Sequence, residues 1–335
     1  MDMPPVEKFA LGGAARGTYR GALHVGLVNN MPDAALRTTE LQFARLLKDA
    51  SGAHGAQPLD VRLHLFSLSQ IPRGDVALAR MAGFYADASL LPAAGLDALI
   101  ITGAEPRTED LRDEPYWDAL ARLIDWADGG VISTYFSCLA AHAAVLHRDG
   151  IARRKLGRKL SGVFSVRSAI DEALLAGVPA LAQVPHSRRN DVPEEALVAR
   201  NYRILSWLAD GGVDLFMYRG RSLQIFAQGH PEYDSGTLGR EYLRDLGRHL
   251  RGEGERPAVP EQYFDRVTEV RLAELDSHAP GDLSRYTSVV MGAVPFASWR
   301  SHTVRLFANW LAGIAAEKIR RSASRSQTSR SRKRA

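Results

Sequence analysis

One cysteine, Cys138, stands alone among 335 residues. A lone cysteine cannot close an intramolecular disulfide, and a cysteine-rich zinc site is excluded. No run of 18 apolar residues occurs, so no membrane-spanning helix is expected. The opening stretch, MDMPPVEKFALGGAARG, has acids and prolines where a secretory signal needs an apolar core. These absences point to a cytoplasmic protein without a membrane partner. Metal-ligand spacings such as HExxH are missing, so no metal is expected. No internal repeat is visible. Acids are also missing from Lys318 to the end of the chain.

What is present is ordinary globular composition, 45% apolar and 24% charged, which supplies a core and excludes whole-chain disorder. The formal net charge is +5. Eight of the 43 cations fall in the last 18 residues, which leaves 35 cations against 38 acids over residues 1–317. The body is therefore mildly acidic. The Ser/Arg-rich stretch 318–335 reads as a disordered basic tail. Such a tail binds nucleic acid only non-specifically, through its charge.

Short apolar runs alternate with helical patterns. His24–Val28, Val61–Phe66, Asp97–Thr102, Val131–Phe136, Tyr202–Leu208, Val213–Tyr218 and Leu223–Ala227 read as strands. Arg37–Lys48, Pro115–Ala127, Leu139–His147, Thr237–Leu250 and Ala297–Ala316 read as helices. This alternation predicts an α/β fold, a mainly parallel twisted sheet with helices on both faces. Residues 252–296, rich in proline, charge and turn formers, read as an irregular insertion. The expected organisation is an N-terminal extension 1–20, one domain 21–317 and the tail 318–335.

Cys138 sits between an apolar strand and a helix of small residues, in TYFSCLAAHAA. That places its sulfur at a strand-to-helix turn. Free N–H groups and the dipole of a helix N-terminus stabilise a thiolate there, and an oxyanion on a carbonyl it attacks. A buried structural cysteine is the competing reading. A cysteine nucleophile needs a base. Gln228-Gly229-His230-Pro231-Glu232-Tyr233 follows the strand ending at Ala227. His230 would stand at the carboxyl edge of the sheet, where ligands of open α/β sheets bind. Glu232 could accept a hydrogen bond from its imidazole and fix the tautomer. His142 and His147 read as packing or surface residues.

A strand–Cys–helix unit followed far downstream by Gly-His-Pro-Glu resembles the class I glutamine amidotransferase-like superfamily. Six collinear stretches narrow the resemblance. They are Ile101-Thr102-Gly103-Ala104, Tyr116-Trp117, Lys159-Leu160-Ser161-Gly162-Val163, Pro185-His186-Ser187-Arg188, Gly229 to Asp234, and Ala297-Ser298-Trp299-Arg300-Ser301-His302. Together they are similar to the homoserine O-succinyltransferase family of methionine biosynthesis. The resemblance implies a class I glutamine amidotransferase-like (flavodoxin-like) architecture. It also implies acyl transfer from an acyl-CoA co-substrate to the hydroxyl of L-homoserine, with no bound cofactor and a homodimeric enzyme. Carried across, Cys138 is the acyl-thioester nucleophile, His230 the general base and Glu232 its orienting carboxylate. Lys159, Ser187 and Arg244 match substrate-binding positions.

The chain also departs from the family pattern. The family shows a lysine after its Asn-Leu-Met-Pro. Here the stretch is Asn29-Asn30-Met31-Pro32-Asp33-Ala34. Leu139 follows the cysteine where the family commonly has tryptophan. The position three past Ala104 discriminates acyl donors in the family, with glycine for succinyl-CoA and glutamate for acetyl-CoA. This chain has Arg107 there. A glutamate repels a succinyl carboxylate and an arginine can pair with it, so succinyl-CoA is the expected donor. Acetyl-CoA as donor, serine as acceptor and a glutamine amidotransferase-type amide hydrolase are the alternatives. Ser137 and Leu139 stand where an amidotransferase elbow has glycines, which argues against the last. A catalytically dead regulator acting through the basic tail would not need Cys138, His230 and Glu232 together.

Overall fold

The computed structural model describes residues 21–53, 58–169, 172–278 and 280–332. The expected extension 1–20 and the last three residues of the tail lie outside them. Ten strands form one sheet: β1 (Leu23–Val28), β2 (Val61–Ser67), β3 (Tyr85–Asp87), β4 (Ala98–Thr102), β5 (Ser133–Ser137), β6 (Arg154–Ser168), β7 (Leu181–Asp191), β8 (Arg203–Leu208), β9 (Val213–Arg219) and β10 (Leu223–Ala227). The helices are α1 (Asp33–Gly52), α2 (Asp75–Met81), α3 (Trp117–Gly130), α4 (Leu139–Asp149), α5 (Glu194–Ala199), α6 (Thr237–Leu250), α7 (Arg266–His278), α8 (Leu283–Gly292) and α9 (Arg300–Arg332). Among the described residues no helix is long and apolar enough to cross a membrane.

The strand order is β3-β2-β1-β4-β5-β10-β9-β8-β6-β7. The first six are parallel to their neighbours. This half matches the expected α/β architecture. β4 shows why. All five of its residues are buried, as a strand covered on both faces requires. Leu99 and Ile101 pack on one side with Leu120, Leu123 and Ile124 of α3 and the alanines of α4. Ala98 and Ile100 pack on the other with Phe43, Leu46 and Leu47 of α1 and Phe307, Trp310 and Leu311 of α9.

The last four strands run antiparallel, from the β9–β10 pair through β8 to the β6–β7 hairpin. Composition did not separate β6 and β7 from loop, because β6 opens with the polar run Arg154–Lys159 and is mostly exposed there. Burial begins further along, where Phe164 and Val166 of β6 pack with Ala182 and Val184 of β7 and Leu208 of β8.

Two expectations need correcting. Residues 252–296 are not irregular throughout, since α7 and α8 lie inside them. Leu272, Tyr286 and Val290 from these helices bury against Leu238, Tyr242 and Leu246 of α6 and against Trp299. The segment also joins the sheet edge. Val163 N donates to Glu261 O at 2.8 Å, and Glu261 N to Ser161 O at 2.9 Å. Gly162 makes this approach possible. Its φ is +150°, and a Cβ there would meet Glu261 O at 2.4 Å. The second correction concerns the tail. The helix expected to end at Ala316 continues to Arg332, so 318–332 is helical rather than disordered. Lys318 donates from Nζ to Asp97 Oδ2 and to Ala22 O, both at 2.7 Å. A cation that closes the bottom of the sheet belongs to the body.

Candidate active site

Register fixes where the functional loops meet. Thr102 of β4, Ser137 of β5 and Ala227 of β10 stand side by side at the ends of three parallel strands. The next residues on each strand, Gly103, Cys138 and Gln228, therefore emerge at one carboxyl edge. Gly103 lets the edges close up, because a Cβ there would lie 2.5 Å from Leu139 Cβ.

Cys138 is the N-cap of α4 with φ +50° and ψ −111°. A non-glycine residue with positive φ costs on the order of 1–3 kcal/mol, and such positions concentrate at functional sites. Its N–H donates to Ala227 O at 2.7 Å, which ties the turn to β10. The N–H groups of Leu139 and Ala140 open the helix, ahead of its i→i−4 ladder.

His230 and Glu232 are 6% and 3% exposed. His230 Nδ1 lies 2.9 Å from Glu232 Oε1, and Ser137 Oγ donates to the same oxygen at 3.3 Å. His230 N donates to Pro185 O at 2.8 Å, so β7 holds the backbone behind the ring. The Tyr233 ring stacks on the imidazole with centroids 4.3 Å apart. Trp299 Nε1 donates to Tyr233 O at 2.9 Å and secures that stack. Burial pulls the His230 pKa down. The negative charges of Cys138 and Glu232 and hydrogen bonds to both outweigh it, and the pKa ends well above its ordinary value. The imidazole, between the cysteine and the carboxylate, is thus held towards its protonated form.

A cavity of about 360 Å³ opens over Cys138 and His230. Lys159, Ser187 and Arg244 all line it. Lys159 Nζ donates to Asp245 Oδ2 at 2.7 Å, and Arg244 Nε donates to Asp245 Oδ1 at 2.8 Å. Arg107 is exposed and is not among the lining residues. Its backbone N–H donates to the buried Glu114 carboxylate at 2.6 Å, which shapes the loop after Ala104. A second cavity, about 490 Å³, lies beside the middle of α9 near Ile132 and Leu223, away from these groups.

The structure adds Glu241, which the sequence did not single out, and shows where His142 and His147 lie. Glu241 lines the cavity, and Tyr233 Oη donates to its Oε1 at 3.0 Å. Glu241 Oε2 is buried without a hydrogen-bond partner among the described residues. His142 is 3% exposed and also lines the cavity, with Nε2 2.8 Å from Gln228 Oε1. Burial lowers its pKa to about 4, so it is neutral at pH 7. His147 pairs with Asp125 at 2.8 Å, outside the cavity. Helical spacing could have flagged Glu241, three residues before Arg244 on α6. Nothing local marks His142 as more than packing.

Comparison with known proteins shows the family. The family model described as homoserine O-succinyltransferase matches residues 12–319. The homoserine O-succinyltransferase of Methylorubrum extorquens is 47% identical over 296 residues, covering 87% of this chain and 86% of that protein. Those of Rhodopseudomonas palustris and Bradyrhizobium japonicum are 44% and 43% identical, covering 95% and 91% of this chain and 97% and 94% of theirs. Among solved structures, a glutamine amido transferase from Methylobacillus flagellatus aligns with a TM-score of 0.47 at 13% identity, over 88% of this chain and 95% of that one. With a family model spanning most of its length and relatives this similar, the chain belongs to the homoserine O-succinyltransferase family.

Proposed function

We propose that this enzyme moves a succinyl group from succinyl-CoA to the hydroxyl of L-homoserine through an acyl-cysteine on Cys138. The observation that carries the reading is the buried His230–Glu232 pair beside a partly exposed Cys138, with the cysteine held in a strained turn at a helix start. Family membership supplies the substrates and the place in methionine biosynthesis.

The geometry supports two half-reactions. In the first, the Cys138 thiolate attacks the thioester carbonyl. The C–S bond to CoA breaks, and His230 gives its proton to the departing CoA sulfur. One thioester replaces another, so the step is nearly neutral in energy. Acylation also removes the charge of Cys138, the largest influence raising the His230 pKa. The imidazole is then left neutral and basic by the reaction itself. In the second half-reaction it takes the homoserine hydroxyl proton as the oxygen attacks the acyl carbon. The Cys138–acyl bond breaks and the starting ion pair returns. Arg244 suits the amino-acid carboxylate, and the free Oε2 of Glu241 suits its ammonium.

Intact-protein mass spectrometry after incubation with succinyl-CoA alone tests the scheme. One succinyl group should appear on wild type and map to Cys138, and none on Cys138→Ala. Full turnover by Cys138→Ala would sink it. The family also implies a cytoplasmic homodimer, and light scattering measures that mass directly.

A further inference from the structure

The cavity is lined by six cations. Five have a carboxylate within 4 Å: Lys159 and Arg244 share Asp245, Arg188 has Asp191, Arg189 has Glu255 and Arg248 has Glu105. Arg153 is the exception among the described residues. Its Nη2 donates to two backbone carbonyls, Glu109 O at 2.8 Å and Thr108 O at 3.4 Å. Its Nη1 is buried and has no hydrogen-bond partner among the described residues. Leaving a charged donor unsatisfied is costly, so a site that keeps one expects an acceptor from outside.

The surroundings say which acceptor. Glu114 is a buried acid on that side, but its Oε1 already accepts from Arg107 N, Thr108 N and Thr108 Oγ1, and its Oε2, which has no hydrogen-bond partner among the described residues, makes no ion pair with Arg153. Asp110 is committed to Arg112. Tyr116 has no charge to offer at neutral pH, and neither has His142. His142 lies one helical turn past Cys138, and Arg153 lines the same cavity as both. The far carboxylate of a succinyl thioester is three carbon–carbon bonds from the carbon that Cys138 attacks. A guanidinium fork fixed by two carbonyls is preorganised for such a carboxylate.

We infer that Arg153, rather than Arg107, is the residue that selects the acyl donor, by pairing with the distal carboxylate of the succinyl group. The assignment rests on the proposed transfer from succinyl-CoA. It also gives the loop after Ala104 a role, since Thr108 and Glu109 hold the guanidinium in place.

The test compares kcat/KM for succinyl-CoA and acetyl-CoA, at fixed L-homoserine, in wild type, Arg153→Met and Arg153→Lys. Arg153→Met should lose about 10- to 100-fold with succinyl-CoA, the range of a charge-assisted hydrogen bond, and less than about twofold with acetyl-CoA. Arg153→Lys should keep a clear preference for succinyl-CoA. An unchanged donor ratio in Arg153→Met, or equal losses with both donors and no preference in Arg153→Lys, overturns the assignment. Wild type that transfers neither acyl group, or prefers acetyl-CoA, overturns the underlying reading instead.

Discussion

Cys138 raises the His230 pKa, and Glu232 adds to that effect. Removing the carboxylate while keeping its shape separates these effects. Glu232→Gln should lower kcat by about 100-fold or more, because the imidazole loses both its fixed tautomer and its counter-charge. The pH profile gives the sharper readout. Glu232 raises the His230 pKa. Without it the imidazole becomes neutral at lower pH, so the acid limb of the transfer from acyl-enzyme to homoserine should move down. An acid limb that stays put or moves up would show that Glu232 does not act on His230 electrostatically. Cys138, His230 and Glu232 were legible in sequence because each carries a local signature: strand, nucleophile and helix in one case, a histidine two residues from its acid in the other. Arg153 and Glu241 were not. What marks them is one buried polar atom each, Arg153 Nη1 and Glu241 Oε2, left without a partner among the described residues, which only the folded arrangement reveals.

Helix α4 joins chemistry to stability. It starts at the nucleophile, and its first full turn buries His142 against Gln228, which in turn donates to Asp191 Oδ1 at 3.0 Å and Val213 O at 2.7 Å. A buried neutral histidine carries a pH cost with a definite sign. Its pKa is about 4 folded, lowered by burial, against an ordinary 6.5 when unfolded. Between those values the unfolded chain binds more protons. Stability is therefore fully present above about pH 6.5 and is lost as pH falls towards 4. The whole window is worth about 3 kcal/mol. His142→Gln keeps a donor for Gln228 and has no such titration. Urea unfolding at pH 7 and pH 4.5 should show the stability difference between wild type and His142→Gln shifting by about 2–3 kcal/mol in favour of the variant at low pH. An equal difference at both pH values would contradict a buried neutral imidazole. The parallel strands around α4 were legible because strands buried on both faces read as apolar runs. The β6–β7 hairpin was not, since its polar, exposed start shows no period.

Charge is the whole-molecule property, and its distribution turns on one residue. From composition the break falls between Glu317 and Lys318, where acids cease. The fold puts it later. Trp310, Leu311 and Ile314 of α9 are buried against the sheet, and the helix carries Lys318 on to the carboxylate of Asp97. Asp97 is 8% exposed, and the same oxygen accepts from His24 N at 2.8 Å, so it links the start of β1, the start of β4 and the end of the helical cover. A composition count cannot see this, because Lys318 resembles every other cation of a basic run until its partner is known. A chain ending at residue 317 leaves that buried carboxylate short of its cation. It should be less stable than a chain ending at residue 324 by about 1–3 kcal/mol, a fall of roughly 2 °C or more in Tm. Both should keep wild-type kcat at 25 °C, since the anchor lies at the opposite end of β4 from Gly103. Asp97→Asn in the longer chain should reproduce much of the loss. Equal melting temperatures for the two truncations would mean that Lys318 is a solvated surface charge, and that the composition boundary is the real one.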